Sequence, residues 1–388
     1  MQKPVYLDYA ATTPLDPRVQ QAMLRSMEET WANPASRTHV YGWQAEEAVE
    51  NARNQMADLL KADSREIIFT SGATESNNLA IKGLLESKGF VDSSELKKAH
   101  VVSSVIEHKA VIDTLAQLEK RGLSVTWLQP DSQGLISVDQ VLNALQDNTV
   151  LVSLMWVNNE IGVLNPIEVL APRLQEKNIV LHVDAAQAVG KLPLDLGAIP
   201  VDLLSVSAHK FYGPKGIGAL FVRRRPGLSI SAQIHGGGHE RGMRSGTLAT
   251  HQIVGLGEAA ALAEANLLAE SEKILALRTR LLKGIESLPN IYINGSLTQR
   301  VAGNLNVSFG GVEGETLLMS LRDLALSTGS ACTSVTVEPS YVLKALGLSD
   351  ELAHSALRIS LGRFTTEEEV DFAVNAIRQT VAGLRAAS

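Results

Sequence analysis

The sequence predicts an α/β protein in which a mostly parallel central sheet is flanked by helices and followed by a smaller α+β domain. Short apolar runs rich in Val, Ile and Leu alternate with helical stretches through most of the 388 residues, as in a parallel sheet covered on both faces. A long helix rich in Ala, Leu and Glu, at about residues 253–288, interrupts this alternation, and Pro289 is a natural stop for it. A strand at 304–309, a helix near 315–324 and a closing helix from Thr366 indicate the smaller domain.

The elements of the large domain follow from the spacing of its apolar residues. Segments 19–27 and 44–60 have the periodicity of amphipathic helices, and residues 66–70 form a short strand. Further strands are predicted at 100–105, 124–128, 150–157, 179–183 and 202–206. We assign residues 15–260 to the large domain, and residues 1–14 and 261–388 to the small domain, which carries Cys332.

The composition narrows the class of protein. Hydrophobic residues make up 45% of the chain and charged residues 20%, as in an ordinary globular protein. A net charge of −7 argues against a nucleic-acid binder or an anionic-membrane binder, since either needs a basic surface. No apolar run approaches the roughly 18 residues that span a bilayer, and the N-terminus lacks the apolar core of a signal peptide. We therefore predict a cytoplasmic protein.

Lys210 follows a predicted strand and precedes a turn that contains three glycines and a proline. This arrangement holds one amine at the end of a strand and lets backbone approach a ligand closely. A lysine there can form a Schiff base with an aldehyde cofactor. A lone lysine in such a turn is more often a surface residue. Other residues near Lys210 are therefore needed to distinguish a Schiff-base lysine from a surface lysine.

Asp184 ends another predicted strand, 26 residues before Lys210. That distance is about one strand–helix–strand step, and in a parallel sheet it brings both residues to the same edge. An aspartate at a strand end is usually a helix cap. Paired with a Schiff-base lysine, however, it is what pyridoxal phosphate (PLP) needs, because the carboxylate keeps the pyridine nitrogen protonated.

Two further segments could contribute to such a site. Ala73 and Thr74 follow a strand and open a helix, which offers free backbone N–H groups to an anion. Taken alone, the segment is an ordinary capped helix start. His108 also follows a strand, although a lone histidine is more often structural or exposed to solvent.

Longer motifs carry a resemblance over nearly the whole chain. They lie at residues 6–14, 33–36, 73–74, 107–109, 157–162, 184–187, 209–210, 235–247, 329–334 and Arg358. In these segments the sequence resembles the cysteine desulfurases of the IscS/NifS type, and it is most similar to the IscS subgroup. They form part of the class V aminotransferase branch of the fold-type I PLP-dependent transferases.

The resemblance implies a role for each residue around the PLP ring. Lys210 would hold PLP as a Schiff base and move the α-proton of the substrate. His108 would stack on the ring and assist proton transfer. Asp184 would pair with the pyridine nitrogen, and Gln187 with the ring oxygen.

The resemblance also assigns the phosphate and the substrate carboxylate. Asn159 is expected to contact the cofactor and, together with Arg358, to hold the substrate carboxylate, a geometry that suits a guanidinium fork. Four residues of the same chain would bind the phosphate, namely Ala73, Thr74, Ser207 and His209. Thr247 would contact it from the other subunit of a homodimer.

Cys332 is the only cysteine in the chain, which excludes an internal disulfide. An isolated cysteine is usually a small buried hydrophobe, but the small residues of segment 327–335 favour exposure. A thiolate there could attack the sulfur of a PLP-bound cysteine, leave as a persulfide and be carried to an acceptor. Nine scattered histidines show no metal-site spacing, so no intrinsic metal is predicted. Through its persulfide, Cys332 is also a candidate transient ligand of an iron–sulfur cluster.

These observations together predict a homodimeric sulfurtransferase that converts L-cysteine to L-alanine. The sulfur would pass to an iron–sulfur scaffold protein and other acceptors. One alternative is selenocysteine lyase or another class V PLP enzyme. A non-catalytic sulfur-carrier platform, that is, a protein with this fold but without the activity, is disfavoured, because an inactive site would not need to retain Lys210, Asp184 and His108 together.

The partner is predicted on weaker grounds than the reaction. Chains of the IscS type usually continue past the closing helix with a polar tail that helps contact the scaffold protein. This sequence ends at Ser388, so scaffold docking is expected to differ or to depend on residues beyond it.

Overall fold

The computed structural model describes residues 3–328 and 339–387. The strands of these residues are, in chain order, β1 (Val5–Tyr6), β2 (Ile67–Thr70), β3 (His100–Ser104), β4 (Ser124–Leu128), β5 (Thr149–Met155), β6 (Val180–Asp184), β7 (Leu203–Ser207), β8 (Gly218–Val222), β9 (Ile291–Ile293), β10 (Asn304–Phe309), β11 (Leu324–Ala325) and β12 (Ala356–Ser360). The helices are α1 (Pro17–Glu29), α2 (Val40–Leu60), α3 (Ala73–Ser87), α4 (Ser93–Leu96), α5 (Lys109–Lys120), α6 (Val138–Asn143), α7 (Ile167–Glu176), α8 (Thr250–Ile285), α9 (Gly314–Ser320), α10 (Tyr341–Ala345), α11 (Asp350–His354) and α12 (Glu367–Ala387).

The large sheet has seven strands in the order β2-β8-β7-β6-β5-β3-β4. All neighbouring pairs are parallel except the two that involve β8, which runs antiparallel to β2 and β7. Strands β7 and β8 are joined by a short segment without a crossover helix, and such a connection can only join antiparallel strands. The predicted mostly parallel sheet is confirmed, and Lys210 lies in this short segment.

Helices cover both faces of this sheet. Successive residues of a strand point to opposite faces, and Leu203 and Leu204 accordingly belong to different apolar clusters. Leu204 shares its cluster with residues of α2, α7 and the first half of α8, whereas Leu203 packs with residues of α3 and α5. The large sheet is therefore the middle of three layers, as the alternating sequence pattern predicts.

A third apolar cluster contains the strands near the C-terminus. Strands β9, β10 and β12 form an antiparallel sheet, and β1 pairs with β11 in parallel. Leu7, Ile274 and Ile377 belong to this cluster, whereas Ile253 belongs to the cluster of Leu204. Helix α8 thus contributes its first half to one cluster and its second half to the other. The division into domains near residue 260 stays a prediction.

Differences between predicted and observed elements are small and have physical causes. Helix α8 ends at Ile285, before the predicted end, because in a continued helix the ring of Pro289 would clash with the carbonyl of residue 285, four positions earlier. Strand β6 is shifted by one residue, so that Asp184 is its last member. Strands β1, β9, β11 and β12 were not predicted. The first three have only two or three residues, and in β12 buried Arg358 interrupts the apolar pattern. Within the described residues, no helix is long and apolar enough to cross a membrane.

Candidate active site

One cleft gathers most of the residues that the sequence singles out. It has a volume of about 470 Å³ and lies at the carboxyl ends of β6 and β7, beside the N-terminus of α3. Ten predicted site residues line it, namely Ala73, Thr74, His108, Asn159, Asp184, Gln187, Ser207, His209, Lys210 and Arg358. Thr247 is exposed and is not among the residues lining the cleft of its own chain. Cys332 lies outside the described residues.

Lys210 is held against the N-terminal segment of the chain. Its Nζ donates hydrogen bonds to the carbonyl oxygens of Ala10 and Ala11, both at 2.8 Å. The adjacent backbone is fixed as well, because the carbonyl oxygen of His209 accepts from the backbone N–H and the hydroxyl of Thr13. The amine is therefore placed by residues that lie about 200 positions away in the chain.

Asp184 is 5% exposed, and both of its carboxylate oxygens accept hydrogen bonds. The Nδ2 of fully buried Asn77 donates to Oδ2 at 2.8 Å, and the backbone N–H of Ala186 donates to Oδ1 at 3.0 Å. Asn77 lies on α3, so this contact orients the carboxylate relative to the helix N-terminus. Sequence analysis missed Asn77, although a polar residue on the buried face of a helix is a recognisable pattern.

The N-terminus of α3 provides a place for an anion. The backbone N–H groups of its first turn lack helical acceptors, and the helix dipole favours negative charge there. Gly72 precedes the helix with φ +149°, a conformation that favours glycine. Gly72 and Ser207 both line the cleft, and a Cβ at position 72 would be in van der Waals contact with the Oγ of Ser207, at 3.6 Å.

His209 completes this end of the cleft as a neutral imidazole. Burial, together with the positive charge of Lys210, lowers the pKa of His209 to about 4. The ring is therefore uncharged near neutral pH and can donate from one nitrogen and accept at the other. Its Nδ1 lies 3.1 Å from the Oγ1 of Thr12.

Arg358 and Asn159 form the opposite end. Arg358 is 4% exposed, donates from Nη2 to the Oδ1 of Asp8 at 2.8 Å and from Nη1 to the carbonyl oxygen of Asn159 at 3.1 Å. The Nε of Arg358 and the Oδ1 of Asn159 are buried and have no hydrogen-bond partner among the described residues. Because buried polar groups are normally satisfied, these atoms indicate a place for a ligand: a carboxylate matches the guanidinium Nε, whereas the Oδ1 of Asn159 needs a donor.

His108 caps α5 and lines the cleft. Its Nδ1 accepts a hydrogen bond from the backbone N–H of Ala110 at 3.1 Å. A neutral ring must therefore carry its proton on Nε2. The cap thus fixes the tautomer that can exchange a proton with a bound ligand.

Two buried glutamates adjoin these residues and were missed by sequence analysis. Burial raises the pKa of Glu107 well above its ordinary value, and the charge of Asp184 adds to this effect. Its Oε1 accepts from the backbone N–H of Met155 at 2.8 Å. Burial likewise raises the pKa of Glu160 to about 7, while the hydrogen bond from Ser340 opposes the shift. Burial therefore disfavours a second negative charge at Glu107, beside Asp184.

The raised pKa of Glu160 predicts a pH-dependent stability. The folded protein retains a proton that the unfolded chain releases above about pH 4.5, so the stability that this proton contributes is lost as pH rises towards 7. The free energy of unfolding of the parent should therefore fall between about pH 5 and about pH 8. In Glu160→Gln we expect that fall to be smaller by about 2 kcal/mol. Urea denaturation at both pH values measures this difference, with the exposed Glu28→Gln as control. Equal pH dependence in Glu160→Gln and the parent would contradict the assignment.

The geometry of the cleft defines a class of enzyme. An amine at the end of β7, a buried carboxylate at the end of β6 and an open helix N-terminus beside them suit an aldehyde cofactor that carries a phosphate and a basic ring nitrogen. Within the described residues, no group of three or more potential metal ligands lies close enough to hold a metal ion. The donor set thus fits PLP.

Comparisons with known proteins identify the family. Residues 5–372 match the family model described as aminotransferase class-V. The chain is 59% identical to the cysteine desulfurase IscS of Shewanella sp. (strain W3-18-1) over 99% of this chain and 94% of the relative. The corresponding protein of Aeromonas salmonicida (strain A449) gives the same values. The chain therefore belongs to the class-V aminotransferases, a PLP-dependent family, and within it to the cysteine desulfurases of the IscS type.

Solved structures agree with this placement. A NifS-like protein superposes with a TM-score of 0.89 at 36% identity, over 98% of this chain and 100% of that chain. SspA in complex with cysteine gives a TM-score of 0.81 at 40% identity, over 93% of this chain and 99% of that one. The predicted fold class, family and cofactor are confirmed.

Proposed function

We propose that this protein is a cysteine desulfurase that converts L-cysteine to L-alanine and transfers the sulfur to Cys332. The observation that carries the proposal is the convergence of Lys210, Asp184 and Arg358 on one cleft. An amine, a ring-pairing carboxylate and a carboxylate-binding guanidinium are what a PLP enzyme acting on an amino acid requires. The identity to proteins named cysteine desulfurase IscS selects the reaction.

Residues of the described chain would hold PLP at three points. Ala73, Thr74, Ser207 and His209 would hold its phosphate at the start of α3, Asp184 would pair with its ring nitrogen and Gln187 with its ring oxygen. When bound, PLP supplies an electron-withdrawing ring that makes the α-proton of the amino acid acidic. The neutral state of His209 keeps a hydrogen-bond donor beside the phosphate without adding a formal charge.

The other residues orient substrate and move protons. Arg358 and Asn159 bind the carboxylate of L-cysteine, Arg358 through its Nε, which has no partner among the described residues, and Asn159 through its amide N–H, since its oxygen can only accept. The Nζ of Lys210 takes the α-proton. His108 donates and accepts protons at Nε2, since its Nδ1 is occupied by the cap contact.

Sulfur transfer needs a nucleophile, and Cys332 is the only thiol in the sequence. The thiolate of Cys332 attacks the sulfur of the bound cysteine, a S–S bond forms and the C–S bond breaks. The electron pair of the broken bond stays on the carbon side, which is released as alanine after protonation. The product on the protein is a persulfide.

Product analysis tests the reaction. The purified protein, supplied with PLP, L-cysteine and a thiol reductant, should release alanine and sulfide in equal amounts. Release of alanine from L-selenocysteine but not from L-cysteine would favour the lyase alternative. Alanine formation that depends on a 2-oxo acid would favour an aminotransferase, and a protein that binds no PLP would support the sulfur-carrier platform.

We further propose a homodimer in which Thr247 contacts the phosphate bound by its partner. Supporting observations are the exposure of Thr247 and the anchoring of its loop, since the Nε of Arg244 donates to the Oε1 of Glu75 on α3 at 2.8 Å. Thr247→Ala should weaken PLP binding about tenfold, because a hydrogen bond to a charged group is lost. Equilibrium dialysis measures this loss, and sedimentation measures the oligomeric state.

The matched variant Thr247→Ser retains the hydroxyl and should bind PLP like the parent. Unchanged affinity in Thr247→Ala, or a monomer that binds PLP with full affinity, would exclude this contact.

Delivery of the persulfide sulfur to an iron–sulfur scaffold protein and to other acceptors, in the cytoplasm, completes the proposal. Its support is the resemblance of segment 329–334 to that of the IscS type. The persulfide of Cys332 could then act as a transient ligand of the nascent cluster. Transfer of radioactive sulfur from the loaded protein to a purified scaffold protein tests this step, and label that stays on Cys332 would contradict it.

A further inference from the structure

Lys191 is a titratable residue close to the active site for which the proposed reaction has no use. It lines a small cavity of about 50 Å³. Ala10 and Gln187 line both this cavity and the active-site cleft, so they form the wall between the two. Lys191 therefore lies on the far side of that wall from the cleft.

A chain of hydrogen bonds joins Lys191 to Lys210 through this wall. The Nζ of Lys191 donates to the Oε1 of Gln187 at 2.6 Å. The Nε2 of Gln187 donates to the carbonyl oxygen of Ala10 at 2.8 Å, and the same oxygen accepts from the Nζ of Lys210 at 2.8 Å. Both the oxygen and the nitrogen of the Gln187 amide are therefore hydrogen-bonded.

The chemistry of the lysine fixes the direction of that amide. In its charged form Lys191 has donors and no acceptor, so only the oxygen of Gln187 can face it, as the observed contact shows. The amide nitrogen must then lie on the side of Ala10 and the cleft. It carries two hydrogens, of which the carbonyl of Ala10 takes one, and the second remains for an acceptor in the cleft.

The position of Lys191 is not explained by a contribution to the stability of the fold. Within the described residues it forms no ion pair with a carboxylate, and Glu270, which also lines the cavity, pairs with Arg363 at 2.8 Å. Burial lowers the pKa of Lys191 to about 7, and the charges of Lys210 and Arg358 add to the effect. A partly desolvated amine without a counter-ion costs folding free energy, which a simple apolar residue would avoid.

We propose that Lys191 is a positioning residue of the cofactor site, which acts through Gln187 by turning its amide N–H towards the ring oxygen of PLP. The proposal rests on the assignment of Gln187 to that oxygen. In the absence of Lys191 the amide can rotate by half a turn and present its oxygen to the cleft. The amide oxygen of Gln187 and the ring oxygen of PLP, both acceptors, would then face each other, and the deprotonated form of the ring oxygen would be disfavoured.

The test compares PLP affinity and the absorbance spectrum of bound PLP in Lys191→Met, Gln187→Leu and the double variant. Lys191→Met should weaken PLP binding about tenfold and change the ratio of the two absorbing forms, since the donor to the ring oxygen is lost. The double variant should match Gln187→Leu, because Lys191 acts only through that side chain. Lys191→Arg keeps a donor and should restore the parent spectrum, and the exposed Lys177→Met is the matched control.

The outcomes separate this inference from its alternatives. An unchanged spectrum and affinity in Lys191→Met would overturn it, as would a full additional effect of Lys191→Met in the Gln187→Leu background. If Lys191→Met does not fold, as judged by its thermal melting without PLP, the comparison of Lys191→Arg with the parent decides, and a spectrum like that of Gln187→Leu contradicts the proposal. Failure to release alanine from L-cysteine would refute the proposed function and leave these binding and spectroscopic results untouched.

Discussion

Cys332→Ser is expected to retain bound PLP and to respond to L-cysteine by a change in absorbance, yet to form almost no alanine. In the proposed reaction, binding of substrate and removal of its α-proton use Lys210, Arg358 and His108 and need no thiol. Cleavage of the C–S bond does need one, since the sulfur must pass to a nucleophile. A serine hydroxyl is a far weaker nucleophile towards sulfur than a thiolate, so the rate of alanine release should fall at least about a thousandfold.

Three measurements make this result specific. Alanine release gives the rate, mass spectrometry detects the added sulfur on the protein, and the spectrum recorded with L-cysteine shows that substrate still binds. Exposed Ser94→Ala serves as a control for purification and PLP content. Alanine and sulfide released by Cys332→Ser at near the parent rate would show that Cys332 is not the acceptor, and the lyase alternative would then take over.

The fold and the PLP-binding edge could be predicted from sequence because both depend on local patterns. Apolar runs separated by helices predict parallel strands, and in such a sheet consecutive strand ends share one edge. The 26-residue spacing of Asp184 and Lys210 then suffices to bring them together. The structure places both on the same cleft.

Contacts between distant segments could not be predicted in the same way. Asn77 and Asp184 are separated by 107 residues, and Lys210 contacts carbonyl groups 200 positions earlier. Neither periodicity nor composition carries information about such pairs. Asn77 was therefore missed although Asp184 was found.

The buried titratable residues show a second limit of sequence analysis. Glu107 and Glu160 are next to predicted site residues in sequence, but acidic residues are normally exposed and a pattern alone assigns them to the surface. Their raised pKa values follow from burial, which is a property of the folded protein. Lys191 was overlooked for the same reason, because its role depends on the wall between two cavities.

Lys210→Ala is expected to abolish turnover while leaving a large part of the affinity for PLP. In the proposed reaction Lys210 both attaches PLP and moves the α-proton, and no other predicted site residue does both, so no neighbour can replace it. Asp184, the start of α3 and Ser207 remain, and they would hold the cofactor without a covalent bond. We expect the rate of alanine formation to fall by at least about 10⁴-fold.

The neighbouring amines make this prediction demanding. Lys215 also lines the cleft, and Lys191, with its lowered pKa, lies behind the wall of Gln187, so a misassigned lysine has two real competitors. Borohydride reduction of the parent followed by peptide mapping should label Lys210 alone, and the label should be absent in Lys210→Ala. Lys215→Ala serves as the matched control and should retain the label. A label on Lys215 or Lys191 would mean that the amine at the end of β7 is not the one that holds PLP. Release of alanine from L-cysteine by Lys210→Ala would mean the same, because an alanine side chain can neither attach the cofactor nor accept the α-proton.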